Sequence, residues 1–285
     1  MIGIITDSTC DIPENLLNQY GIEVVPHTII WGDKQYLDRV DLQPLQFYQQ
    51  LITNPVRPTT SQATLFDFKR VYEKVIARGG VTELIVLTVS SAMSGAYNMA
   101  QNAAKLVNIP VHVIDAKGPT MSLGWQVLAA ARAREAGAEI QEILSSVEKV
   151  RSRLVQFVCM DTIEYLQKGG RIGDAMRWVG GLMQVKPLVS INHQTGRVEP
   201  VSLSRTHRLL VETMYNRFFE KLKDGQNLHI TVLHGNVQAK AETLAERIRS
   251  EYNPLELLVN ITGPVLGINT GPGALALCGY AESIA

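Results

Sequence analysis

Long apolar runs are missing from this chain. No stretch approaches the roughly 20 residues that a helical membrane span needs, so an integral membrane protein is not expected. Excess charge is missing as well. Lys plus Arg and Asp plus Glu number 27 each, so no global field asks for nucleic acid or an anionic membrane surface. Cysteine is scarce: Cys10, Cys159 and Cys278 are odd in number and far apart, and they match neither CxxC nor a metal-ligand spacing. They read as reduced thiols of a cytoplasmic protein. The opening residues Met1–Asp7 have no basic segment followed by an apolar one, so no signal peptide is expected.

Several catalytic signatures are also absent. There is no Walker A motif and no HExxH. Ser94 precedes Gly95, but Ala92 and Met93 stand before it, so no GxSxG elbow forms. Gly267, Gly271 and Gly273 do not make a GxGxxG after a strand. The histidines at 27, 112, 193, 207, 229 and 234 show no ligand spacing. No catalytic residue, metal or cofactor is therefore expected.

What the chain does have is an alternation of short apolar runs with helix-period segments, and 46% hydrophobic residues to build cores. In the first half, strands are predicted over Gly3–Thr6, Ile22–Ile30, Leu84–Val89 and Val111–Ile114. Helices are predicted over Pro13–Tyr20, Leu42–Ile52, Thr64–Ala77 and Ser94–Val107, with Asp11 and Asp41 as N-caps. This pattern predicts an α/β fold with a parallel sheet, whose ligands sit beyond the carboxyl ends of the strands. Two helices follow, Leu123–Ala136 and Ile140–Leu154. The second half opens on the apolar run Val155–Met160. A hairpin of Lys186–Ile191 and Arg197–Leu203, a helix over Arg205–Leu222, strands Leu228–Leu233 and Leu255–Ile261 and a helix over Val237–Glu251 complete it. The hairpin implies a mixed sheet. Two domains are expected, 1–154 an N-terminal parallel-sheet α/β sandwich and 155–285 a second α/β domain with a mixed sheet. A last helix after Thr270 is expected to pack back on the first, and the ligand site lies in the cleft between the domains.

Three segments carry candidate chemistry. Pro58-Thr59-Thr60-Ser61-Gln62 and Ser90-Ser91-Ala92-Met93-Ser94-Gly95 are hydroxyl-rich turns, both read as opening helices. Free backbone N–H groups, the helix dipole and several hydroxyls together make an anion site. Capping alone accounts for one hydroxyl per turn, not three. Lys168-Gly169-Gly170-Arg171-Ile172-Gly173 is either a helix-end loop or a loop aiming a guanidinium at an anion. The Gly/Pro-rich stretch from Gly263 to Gly273 carries Asn269 and Thr270 as side-chain donors. Asp7 is either a turn residue or a group that binds a cation or orients hydroxyls. Met93, Met121, Met160, Met176 and Met183, with Trp178, Leu182 and Val185, are candidates either for an apolar pocket or for ordinary core.

Taken in order, Thr6-Asp7-Ser8, Pro58–Gln62, Ser90–Tyr97, Gly169–Ile172 and Gly263–Leu266 resemble the motifs of the DegV family along essentially the whole chain, from Ile4 to Gly279. The resemblance implies a protein that buries one long-chain fatty acid and is not itself an enzyme. It implies a partner, an ATP-dependent fatty acid kinase subunit that converts the presented carboxylate to an acyl phosphate. Carried over by motif, Thr59, Thr60, Ser91 and Asn269 would bind the carboxylate. Ser61, Ser94, Arg171 and Thr270 would support the head group or face the partner. Family members often carry histidine where this chain has Asn269. Asparagine donates a hydrogen bond but cannot become charged. The alternative reading, from the residues alone, is a phosphoryl-transfer or phosphate-ester enzyme using the same anion site; a Rossmann-type cofactor module is a third.

Overall fold

The computed structural model describes residues 1–171, 173–178 and 185–284. Ile172, Leu182 and Met183 lie outside the described residues, as do the side chains of Met176 and Trp178. The first segment runs β1 (Ile2–Asp7), α1 (Glu14–Gln19), β2 (Glu23–Val25), β3 (Thr28–Trp31), β4 (Lys34–Leu37), α2 (Pro44–Thr53), β5 (Thr59–Ser61), α3 (Leu65–Ile76), β6 (Glu83–Thr88), α4 (Ala96–Ala104) and β7 (Val111–Asp115). Strands β2, β1, β6 and β7 form, in that order, a parallel sheet. The apolar run Leu84–Leu87 is buried on both faces, as a strand covered by helices on two sides must be.

Three expectations fail in this segment. Ile22–Ile30 is not one strand. The chain leaves the parallel sheet after Val25, at Pro26, which has no N–H for a ladder. It re-forms as β3 in a separate antiparallel sheet of order β4-β3-β5. Thr59–Ser61 does not open a helix either: it is β5, with Thr60 opposite Ile29. The helix that follows is capped by Thr64, whose hydroxyl accepts from Asp67 N–H while the Asp67 carboxylate accepts from Thr64 N–H. Neither Asp11 nor Asp41 caps the helix that follows it; the N-cap positions are Pro13 and Gln43.

The second segment runs α5 (Met121–Glu135), α6 (Ile140–Arg153), β8 (Val155–Cys159), α7 (Glu164–Gly169), β9 (Lys186–Asn192), β10 (Arg197–Ser204), α8 (His207–Leu222), β11 (Gly225–His234), α9 (Gln238–Tyr252), β12 (Glu256–Ile261), α10 (Pro264–Thr270) and β13 (Leu275–Ile284). Six strands form a mixed sheet of order β10-β9-β8-β13-β11-β12. The expected last helix is a strand, and it lies inside the sheet between β8 and β11. Residues 274–281 are rich in Ala and Leu, good helix formers, but packing overrides propensity. Leu275, Leu277 and Ala281 enter the core under α8 and α9, whereas Ala276, Cys278 and Tyr280 enter the core shared with α5. Helix α5 is buried almost all round and touches β1, β6 and β13, so it packs against both large sheets.

Candidate functional site

A cavity of about 880 Å³, part of it open to solvent, lies between the turn that precedes α4, the face of β8, β9 and β10, and α10. Strand alternation supplies its apolar wall. Val158 and Met160 project from β8 and the residue beyond it, Val189 and Ile191 from β9, and Val198 from β10; Val89 and Met93 close the opposite side. Met93 and Met160, two of the methionine candidates, thus line it, while Met121 is fully buried core. The apolar lining suits a hydrocarbon ligand.

One end of the cavity is polar. Thr60, Ser61, Ser94, Arg171, Asn269 and Thr270 line it. Their hydrogen bonds separate them. Thr270 Oγ1 donates to Leu266 C=O at 3.2 Å and Ser61 Oγ to Gln62 C=O at 3.4 Å, so both hydroxyl protons are in use. Ser94 Oγ accepts from Ala96 N–H at 3.3 Å and keeps its proton. Asn269 Nδ2 donates to Val265 C=O at 3.0 Å and has a second N–H to give. Its Oδ1 lies so close to Gly169 that a Cβ there would stand 2.0 Å away, which is why a glycine ends α7 at this point. Arg171 donates to Gly169 C=O at 2.8 Å and to Met93 C=O at 3.4 Å, tying its loop to the turn before α4.

Two expected carboxylate ligands lie elsewhere. Ser91 is exposed and is held by Asp115: its N–H donates to Oδ1 at 3.1 Å and its hydroxyl to Oδ2. Burial raises the Asp115 carboxyl, but hydrogen bonds from Ser91 and Lys117 outweigh it and hold the group below its usual range. Thr59 opens onto a second, basic cavity of about 700 Å³ lined by Arg57 and Lys168, which shares Thr60, Arg171 and Asn269 with the first. Nor are the amides of the turn free to bind an anion. Ser91 N–H is taken by Asp115, Ala92, Met93 and Ser94 N–H by Ser90, Gly95 N–H by Gln62 Oε1 at 2.8 Å and Ala96 N–H by Ser94. Side chains, not backbone amides, are what this site offers.

Asp7 has a structural part in the wall. It accepts from Thr9 N–H at 3.0 Å, Thr9 Oγ1 at 2.6 Å and Val89 N–H at 2.7 Å, with His27 Nε2 at 3.4 Å. Burial pushes its carboxyl up, but His27 and these donors hold it below the ordinary value. Thr9, His27, Thr120 and Gln156 also line the cavity; of these, His27, Thr120 and Gln156 were not picked out from sequence. For Gln156 there was a signal: it is the one polar residue of the run Val155–Met160.

Comparison with known proteins agrees with the motifs. The model of the DegV family, described as a family of uncharacterised proteins, matches residues 1–282. The chain belongs to the DegV family. It is 32% identical over 284 residues to a DegV domain-containing protein of Clostridium acetobutylicum, covering 97% of each chain. A solved DegV family protein of Thermus thermophilus, described as fatty acid binding, has a TM-score of 0.89 at 28% identity, covering 98% of this chain and 99% of that one. DegV of Bacillus subtilis, described as a fatty acid binding protein, has a TM-score of 0.90 at 26% identity, with the same coverage. Among the described residues, no helix of this DegV protein is long and apolar enough to cross a membrane.

Proposed function

We propose that this protein binds one long-chain fatty acid, with the tail in the apolar cavity and the carboxylate at Thr60, Ser94 and Asn269. It then presents that carboxylate to a separate ATP-dependent kinase subunit for acyl phosphate formation. The observation that carries the reading is the joining of an apolar wall to hydroxyls whose protons no acceptor among the described residues takes. Each buried methylene contributes roughly 0.8 kcal/mol, so a long tail supplies on the order of 10 kcal/mol before the costs of association. The head group then needs donors, because an unpaired buried charge cancels that gain. The basic second cavity at the polar end, with Arg57, Lys168 and Arg171, suits an approaching nucleotide phosphate. No cofactor and no catalytic residue of this chain is needed. Cytoplasmic residence goes with this role.

The phosphate-ester alternative loses its support, since the amides that would cradle a phosphate are already bonded within the protein. Native mass spectrometry of protein purified from a bacterial host tests the choice. An adduct with the mass of a fatty acid is expected. A nucleotide or sugar phosphate adduct without lipid would overturn the reading. Mixing with a fatty acid kinase subunit, ATP and loaded protein tests the second half, by acyl phosphate formation.

A further inference from the structure

One polar pair lies inside the otherwise apolar wall. Gln156 is 2% exposed, on the same face of β8 as Val158. Its Nε2 donates to Thr120 Oγ1 at 2.9 Å, and its Oε1 has no partner among the described residues. Both residues line the main cavity, and both line a small niche beside it with Thr262 and Thr270. Thr120 is held at φ 56°, ψ −139°, a costly conformation for a β-branched residue. A buried amide oxygen without a donor is unfavourable, and a purely hydrocarbon tail gives it none.

Resting on the fatty-acid reading above, we infer that the ligands of this protein include fatty acids bearing a hydroxyl group along the chain, recognised by Gln156 and Thr120. A hydroxyl donates to Gln156 Oε1 and accepts from the Thr120 hydroxyl, whose own proton has no acceptor among the described residues. If the amide is turned over, the hydroxyl accepts from Nε2 instead, so it satisfies either orientation. A keto oxygen matches only one. Thr270, at the polar end, shares the niche with both residues, so the matching carbon is the one that a positional series picks out. A water molecule can serve the same atoms, and a ligand hydroxyl gains affinity by reproducing its bonds.

The test is affinity for stearate and for a positional series of monohydroxystearates, using the full-length protein freed of lipid. One positional isomer should bind about tenfold more tightly than isomers that put the hydroxyl against Val158, Val189 or Val198, and at least as tightly as stearate. Gln156→Leu should abolish that preference while keeping stearate binding, which also shows that the variant is folded. Gln156→Met serves if leucine does not fold. Equal weakening by every hydroxyl position, or a preference unchanged in both variants, overturns the inference and leaves fatty-acid binding standing. Failure of the wild type to bind stearate at all overturns both.

Discussion

Thr60 and Ser94 line the main cavity and, among the described residues, no acceptor takes their protons, unlike those of Ser61, Ser91 and Thr270. Thr60→Ala and Ser94→Ala should each weaken stearate binding about tenfold, the value of one hydrogen bond to a charged group, with the urea midpoint little changed. Ser91→Ala should do the reverse, leaving affinity intact and lowering stability by about 1 kcal/mol as Asp115 loses a partner. Titration calorimetry and urea unfolding on the three variants check both statements. Asn269→His should raise the rate of acyl phosphate formation with a partner kinase if a titrating group near the carboxylate assists transfer; equal rates would make Asn269 a simple donor. At this scale the sequence showed which segments meet but not which of several adjacent hydroxyls points inward. That choice depends on Asp115, at the end of β7 and distant in sequence from Ser91.

Among the elements, most helices and parallel strands were legible from periodicity, because each buries one clear stripe or one unbroken apolar run. Others were not: β4, α7 and α10 were not predicted at all, and β3 was merged with β2. β3 and β5 are short and half-buried, and belong to a small sheet that no periodicity announces. β13 reads as a helix by composition. The placement of α10, which carries Asn269, rests on buried charge. Asp11 accepts from Gly263 N–H at 2.9 Å, at the start of α10, and Arg39 donates to Asp11 at 2.5 Å and to Ile261 C=O at 3.2 Å. Arg39→Ala leaves Asp11 buried without its partner and should cost about 3 kcal/mol; Arg39→Ala with Asp11→Asn should recover part of it. Nearby, Asp38 accepts from Ser8 Oγ at 2.7 Å. Burial pushes its carboxyl up to about 7, against the opposing effects of Arg39, Ser8 and His27. The folded protein therefore holds a proton there that the unfolded chain, with a carboxyl near 3.9, releases. Asp38 contributes stability at low pH that is lost as pH rises toward 7. Asp38→Asn should remove a fall on the order of 2 kcal/mol between pH 5 and 7, measured by urea unfolding at both.

For the whole molecule, the two large sheets share a core built around α5, in which Ile4 and Ile85 of the first sheet meet Val158, Ala276 and Cys278 of the second. A division at residue 154 is a proposal that calorimetry can test. One transition is expected, since neither sheet keeps its inner face covered without α5; two separated transitions would mark independent domains. Strand β13 sits between β8 and β11 and completes that sheet. During synthesis it emerges after both of those strands. Until it has left the ribosome, β8 and β11 have no common neighbour, and the wall around Gln156 and Val158 lacks its backing. Loading with lipid thus waits for β13: a polypeptide truncated at Ala274 should neither fold cooperatively nor carry a fatty acid through purification.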